Sequence, residues 1–150
     1  MKYAFYIGLP LLLVIMIITA QAQDTPDSLL ESHLWENRVV VLLTTEEDNT
    51  TYIEQRRALA SEQDELKERD IVIYDIVRYS FAKQDGSILP HVSATAFFDA
   101  FHDMIDSHDF TLLLIGKDGD VKRIEHNFIA PDIMFQQIDA MPMRQRDIRK

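Results

Sequence analysis

Three stretches of the chain are apolar almost without interruption: Arg38 to Leu43 (RVVVLL), Ile71 to Val77 (IVIYDIV) and Phe110 to Ile115 (FTLLLI). Runs of this length and composition mark strands covered on both faces. Val121 to Ile124 is more charged and predicts a fourth strand at the sheet edge, where Lys122 and Arg123 discourage further pairing. Between the first two runs the pattern changes period. Thr45 with Asp48 and Thr51 with Glu54 form two overlapping capping boxes, so a helix is predicted from near residue 50, with Tyr52, Leu59 and Leu66 on one stripe. Residues 78–93 read as a loop, with Asp85-Gly86 and Pro90 as its turn signals. A second helix is predicted in ATAFFDAFHDMIDSH, where Phe97, Phe98, Phe101, Met104 and Ile105 share one third of the circumference. Pro131 suits the first turn of a third helix, PDIMFQQIDA, which Pro142 is expected to end before a basic tail. The order β-α-β-α-β-β-α predicts an α/β domain with one helix-connected parallel pair and a terminal hairpin.

The first residues change where this domain is expected to work. Met1-Lys2, an apolar run from Tyr3 to Ile18, and Ala20-Gln21-Ala22 read as a secretory signal peptide over residues 1–22, cleaved after Ala22. The run is shorter than the roughly 20 residues of a spanning helix. A polar lead-in, 23–33, and one domain, 34–150, then make up a secreted or periplasmic protein. Without Lys2 the remaining chain carries 14 basic side chains (15 minus one) against 25 acidic ones, a charge of −11. Such a surface repels phosphate backbones and anionic headgroups, so neither nucleic acid nor, after cleavage, a membrane is an expected partner. The chain has no cysteine, which removes every thiol mechanism and leaves a core without disulfide support.

Four stretches invite chemistry. The turn in LLLIGKDGDVK resembles a phosphate cradle, but a P-loop must lead directly into a helix, and DVKRI is too short and β-branched. Asp118-Gly119 is a strong hairpin signal, and the bend is the better reading. The loop TTEEDNTT lies beyond the first strand, where ligands often sit in α/β folds. Its Glu46, Glu47 and Asp48 instead suit the helix dipole and repel an anion. Asp99, His102, Asp103 and Asp106 share a helix face opposite the phenylalanines, either a solvated acidic surface or a weak cation site. Met141 and Met143 offer two thioethers that suit Cu(I), or else plug the sheet edge.

Trp35-x-x-Arg38, Glu68-Arg69-Asp70, LIGKDGDVK and IDAMPMR, in that order, resemble a family of secreted bacterial domains of unknown function. Related domains occur in the animal sushi-repeat-containing and equarin-type extracellular proteins. The resemblance covers about residues 34–149 and implies a thioredoxin-like fold: a four-stranded mixed sheet with three main helices, its third strand antiparallel to the rest. In thioredoxin-like enzymes the attacking thiol sits in the first strand-to-helix loop, which here holds Thr44, Thr45, Thr50 and Thr51; a hydroxyl cannot replace a thiolate. The cis-proline such enzymes carry before the third strand is replaced by SHDF. The resemblance therefore implies a binding domain without redox activity, metal or cofactor, acting on a protein or an envelope or matrix partner. It singles out Arg38, Arg69, Lys117, Asp118, Lys122, Asp139 and Arg144, either as a ligand-binding cluster or as structural ion pairs. The alternative is a metal-handling or hydrolytic protein using the two methionines or the Asp99–Asp106 face.

Overall fold

The computed structural model describes residues 24–105 and 107–149. The signal-peptide segment and Asp106 lie outside them. Strand β1, Arg38–Thr44, is buried at every position, as its unbroken apolar run requires. It pairs in parallel with β2, Ile71–Val77, and antiparallel with β5, Phe110–Ile115. The antiparallel third major strand is the arrangement the resemblance implied. Strand β6, Val121–Glu125, pairs antiparallel with β5 and forms one edge, as its charge predicted.

Among the described residues the sheet has six strands rather than four, in the order β4-β3-β2-β1-β5-β6. The expected loop over 78–93 contains β3, Phe81–Gln84, and β4, Ser87–Ile88, joined by Asp85 and Gly86 at φ 47° and 83°. Two successive left-handed residues make the tight reversal that suits a twisted hairpin. Phe81 and Lys83 point to one face and Ala82 and Gln84 to the other, so no apolar run announces the strand.

Two cores flank the sheet. On one face Val40, Leu42, Leu112 and Leu114 pack under α2, Thr50–Ala60, α3, Gln63–Glu68, and α6, Pro131–Asp139. On the other face Val39, Val41, Tyr74 and Leu113 pack under α4, Ala94–Ala100, and α5, His102–Ile105. Within the polar lead-in, α1, Pro26–Glu31, carries a Thr25–Ser28 capping box and lays Leu29 and Leu30 on this second core.

Among the described residues there are seven helices where three main ones were expected. The long first helix breaks at Ser61 and Glu62 into α2 and α3, but its stripe survives: Tyr52, Leu59 and Leu66 are all buried. Its cap is Asn49, whose carboxamide oxygen accepts the Tyr52 amide at 3.0 Å, and not Thr45 or Thr51. The second helix breaks at Phe101 into α4 and α5. Pro142 does not end the chain's helical part. It opens α7, Pro142–Ile148, because a proline tolerated after one helix is equally suited to the first turn of the next.

Candidate functional site

The turn between β5 and β6 holds its shape through its own backbone. The Gly119 amide donates to the Gly116 carbonyl and the Gly116 amide to the Asp120 carbonyl, both at 2.9 Å. Gly119 has φ 85°, and a Cβ there would come within 2.8 Å of Leu34. Asp118 accepts from Lys122 at 2.7 Å, and this hydrogen bond holds its carboxyl below the usual carboxylate range. The hairpin reading of this turn matches the geometry, and the turn also forms part of a wall.

Trp35 stands against that wall. Its amide donates to the Lys117 carbonyl at 2.7 Å, and the residue sits at φ 67° with 69% of its surface exposed. A bulky aromatic in the left-handed region is strained, and residues held this way concentrate at functional sites. Arg38, at the foot of β1, is 1% exposed and donates from Nη1 to the Arg69 carbonyl at 2.8 Å. Lys117 reaches Asp70 at 2.7 Å. Trp35, Arg38, Gly116 to Asp118, Lys122, and Met141 to Met143 from the junction of α6 and α7 enclose one cavity of about 440 Å³, with Arg146 at its border.

The seven charged positions singled out in the sequence therefore divide. Arg38, Lys117, Asp118 and Lys122 line the cavity. Arg69, Asp139 and Arg144 form an adjoining ion-pair cluster. Arg69 clasps Asp139 through Nε at 3.1 Å and Nη2 at 2.6 Å, and Glu65 through Nη1 at 2.6 Å. Arg144 donates to Asp139 at 3.1 Å, to the Glu68 carbonyl at 2.8 Å and to the Glu68 carboxylate at 2.5 Å. Burial alone would raise the Asp139 carboxyl, but the Arg69 and Arg144 hydrogen bonds outweigh it and hold the group below its ordinary value. This cluster ties α3 to α6 and α7.

The cavity lies at the foot of β1. The loop to which the resemblance assigns the thiol lies at the other end, roughly 20 Å away at about 3.3 Å per residue. There the Thr44 hydroxyl donates to the Glu46 carbonyl at 3.0 Å, and the Thr45 amide donates to the Asp109 carbonyl at 3.1 Å. Every peptide bond among the described residues is trans, including those of the SHDF segment.

The metal readings fare unevenly. Met141 and Met143 do share a cavity wall, beside several cationic side chains. Asp99, His102 and Asp103 are exposed, and His102 contacts Asp103 at 2.8 Å. Among the described residues no three His, Asp or Glu side chains are placed to hold an ion together.

One polar group escaped the sequence reading. Asp75 interrupts the otherwise apolar run of β2, and its carboxylate lies in the sheet interior, 3% exposed, on the face toward α2. Tyr52 and Arg56, one helical turn apart, reach it from α2, each at 3.3 Å. Burial, and then the Asp75 charge, push the Tyr52 phenol well up. All three line a groove of about 840 Å³ between α2 and the β2–β3 sheet. An aspartate amid six apolar residues was the signal available.

A family model described as a domain of unknown function, DUF4174, matches residues 29–147. No curated protein matches the sequence. Among solved structures, the reduced 2-Cys peroxiredoxin of Plasmodium vivax is similar at TM-score 0.56 and 14% identity, over 78% of this chain and 84% of that one. Thioredoxin peroxidase I of Plasmodium yoelii is similar at TM-score 0.55 and 16% identity, over 78% and 79%. The exposed lipoprotein thioredoxin of Streptococcus pneumoniae is similar at TM-score 0.54 and 12% identity, over 75% and 90%. At these identities the likeness extends to the thioredoxin-like fold alone.

Proposed function

Because the chain belongs to the DUF4174 family and has a cysteine-free thioredoxin-like fold, we propose that it works by binding a partner in the Trp35 cavity. One observation carries this reading: residues from three separate segments, holding three of the four motifs of the chain, converge on a single cavity at the foot of β1. A scaffold alone does not require a strained tryptophan turned to solvent. Tryptophan and arginine concentrate binding energy where they flank a desolvated pocket. The thioethers and the indole offer apolar contact, while Lys117, Lys122 and Arg146 favour a partner with acidic groups beside an apolar anchor. The expected export of the chain makes that partner an extracellular, envelope or matrix protein, and a mature N-terminus at Gln23 would accord with it.

Peptide display selected against the wild type tests the proposal. Selected peptides are expected to pair an apolar anchor with acidic residues and to bind with comparable affinity to a surface control, Glu54→Ala. Trp35→Ala is expected to weaken them about tenfold or more. Peptides indifferent to Trp35 and Lys117, or disulfide reductase turnover by the purified protein, would refute it. The adjacency of Met141 and Met143 favours a second reading, soft-metal handling, against which the surrounding cations work. Saturable Cu(I) binding lost in Met143→Leu would establish that reading instead.

A further inference from the structure

We infer that the groove beside α2 is a second binding site, for a small carboxylate ligand with an apolar body, gripped by Arg56. A carboxylate in the middle of a sheet is costly, and an apolar residue of similar volume would serve stability as well or better. Asp75 is 3% exposed, but its cationic partner is not, since the Arg56 side chain keeps 47% of its surface in solvent. The contact uses Nε alone. Asp75 thus fixes the near edge of the guanidinium, while the forked far edge, Nη1 and Nη2, makes no hydrogen bond among the described residues. A guanidinium anchored in this way is preorganised for the two parallel bonds a carboxylate can accept.

The pairing of charges around the groove is compatible with the same ligand. In a chain with 25 acidic and 15 basic side chains, this groove gathers four cations: Arg56, Arg57, Lys67 and Lys83. It also holds four carboxylates, so its formal charges balance, but each of these already accepts a hydrogen bond within the protein. Asp75 holds Tyr52 and Arg56, Asp70 holds Lys117, Asp85 accepts the Ile73 amide at 2.9 Å, and Glu47 accepts from Ser80 at 2.6 Å. Arg57, Lys67 and Lys83, in contrast, make no ion pair among the described residues. Lys83 stands directly opposite Asp75 in the strand register, but its ammonium sits over the Phe81 ring, 3.9 Å from the centroid. The ring, with Ile53 and Ile73, gives an apolar bed beside the Arg56 fork. A volume of about 840 Å³ suits a ligand with more than a charged head.

Phthalate, an aromatic dicarboxylate, is the probe, followed by amide chemical shifts of the full chain at low salt. Saturable shifts at Ile53, Ile73 and Phe81 are expected, weakening as salt is raised. Arg56→Gln is expected to reduce affinity about tenfold to a hundredfold, and Arg56→Lys to restore little of it, because lysine lacks the fork. Asp75→Asn tests the anchor; if it fails to fold, Arg57→Gln with Lys83→Gln supplies the charge test at exposed positions. Arg146→Gln, in the other cavity, is expected to change nothing here, so failure of this site is separable from failure of the Trp35 cavity. Benzyl alcohol binding as well as phthalate, inorganic phosphate competing equally, full affinity in Arg56→Gln, or no saturable shift would each overturn the inference.

Discussion

Asp139→Asn isolates the ion-pair cluster that separates scaffold from site. The substitution keeps the shape of the side chain and removes its charge. It leaves Arg69 and Arg144, 8% and 7% exposed, with Glu65 and Glu68 as their remaining carboxylates. Removing one member of a fully buried pair costs about 3–5 kcal/mol. The Asp139 side chain is 34% exposed, so solvent screening cuts the expected loss to about 2 kcal/mol. For a domain of this size that lowers Tm by about 8 °C. Urea unfolding followed by circular dichroism measures the loss directly. Its pH dependence supplies a second check. The folded-state value of Asp139 is depressed, so its contribution is complete above the unfolded carboxyl value, about 4, and disappears as pH falls through the lower folded value. The gap between wild type and variant is therefore expected to be constant from about pH 7 to 5 and to close below about pH 4. A gap under about 0.5 kcal/mol at neutral pH, within the range of ordinary surface substitutions, would refute the reasoning. So would a gap that persists undiminished on acidification.

Trp35→Gly is expected to leave stability unchanged or raise it by up to about 1 kcal/mol, since glycine accepts φ 67° freely and little contact is lost; a drop of more than about 1 kcal/mol in urea would show the indole to be packed. Gln55→Ala removes a fully buried carboxamide that bonds both the Ile129 carbonyl at 3.0 Å and its amide at 2.9 Å; a loss of about 2–4 kcal/mol is expected, and a thermal midpoint equal to wild type would contradict it. Burial pushes the Tyr74 phenol up to about 12, helped by the Asp85 charge. A raised folded value gives stability that is complete below the usual phenol value of about 10 and is lost as pH rises through about 12, so the urea midpoint is expected to fall across that window. Ultraviolet titration showing all phenols ionised near pH 10 with the fold intact would refute this.

The three major strands were legible because each is buried on both faces, and continuous apolar residues have no competing explanation at that length. β3 and β4 were not, because FAKQ offers only one apolar residue to each face before its two polar ones, and Ser87-Ile88 is too short to show a period. Pro142 carried the right information and the wrong inference, since the residue that stops one helix is chemically identical to the one that starts another. Motif order singled out all seven charged positions, as a ligand cluster or as ion pairs, without separating Arg69, Asp139 and Arg144, which pair with one another, from Arg38, Lys117, Asp118 and Lys122, which line a cavity. That division depends on distances between segments as much as 76 residues apart. Asp75 was hidden for the opposite reason. Its neighbours are so apolar that the strand signal overrode the one charge inside it, and its partners Tyr52 and Arg56 declare themselves only once α2 lies across the sheet.

Among the described residues, neither border of the sheet presents a long, bare edge. On one side β4 offers only Ser87 and Ile88; on the other, β6 carries Lys122 and Arg123, and the Gln137 carboxamide already occupies the Lys122 carbonyl at 3.0 Å. Short or charged edges give an extended polypeptide little ladder to join, so the generic, sequence-blind affinity of main chain for main chain is weak here. A partner of the kind proposed above would then be read through side-chain chemistry, and its binding would be sensitive to single substitutions on either molecule.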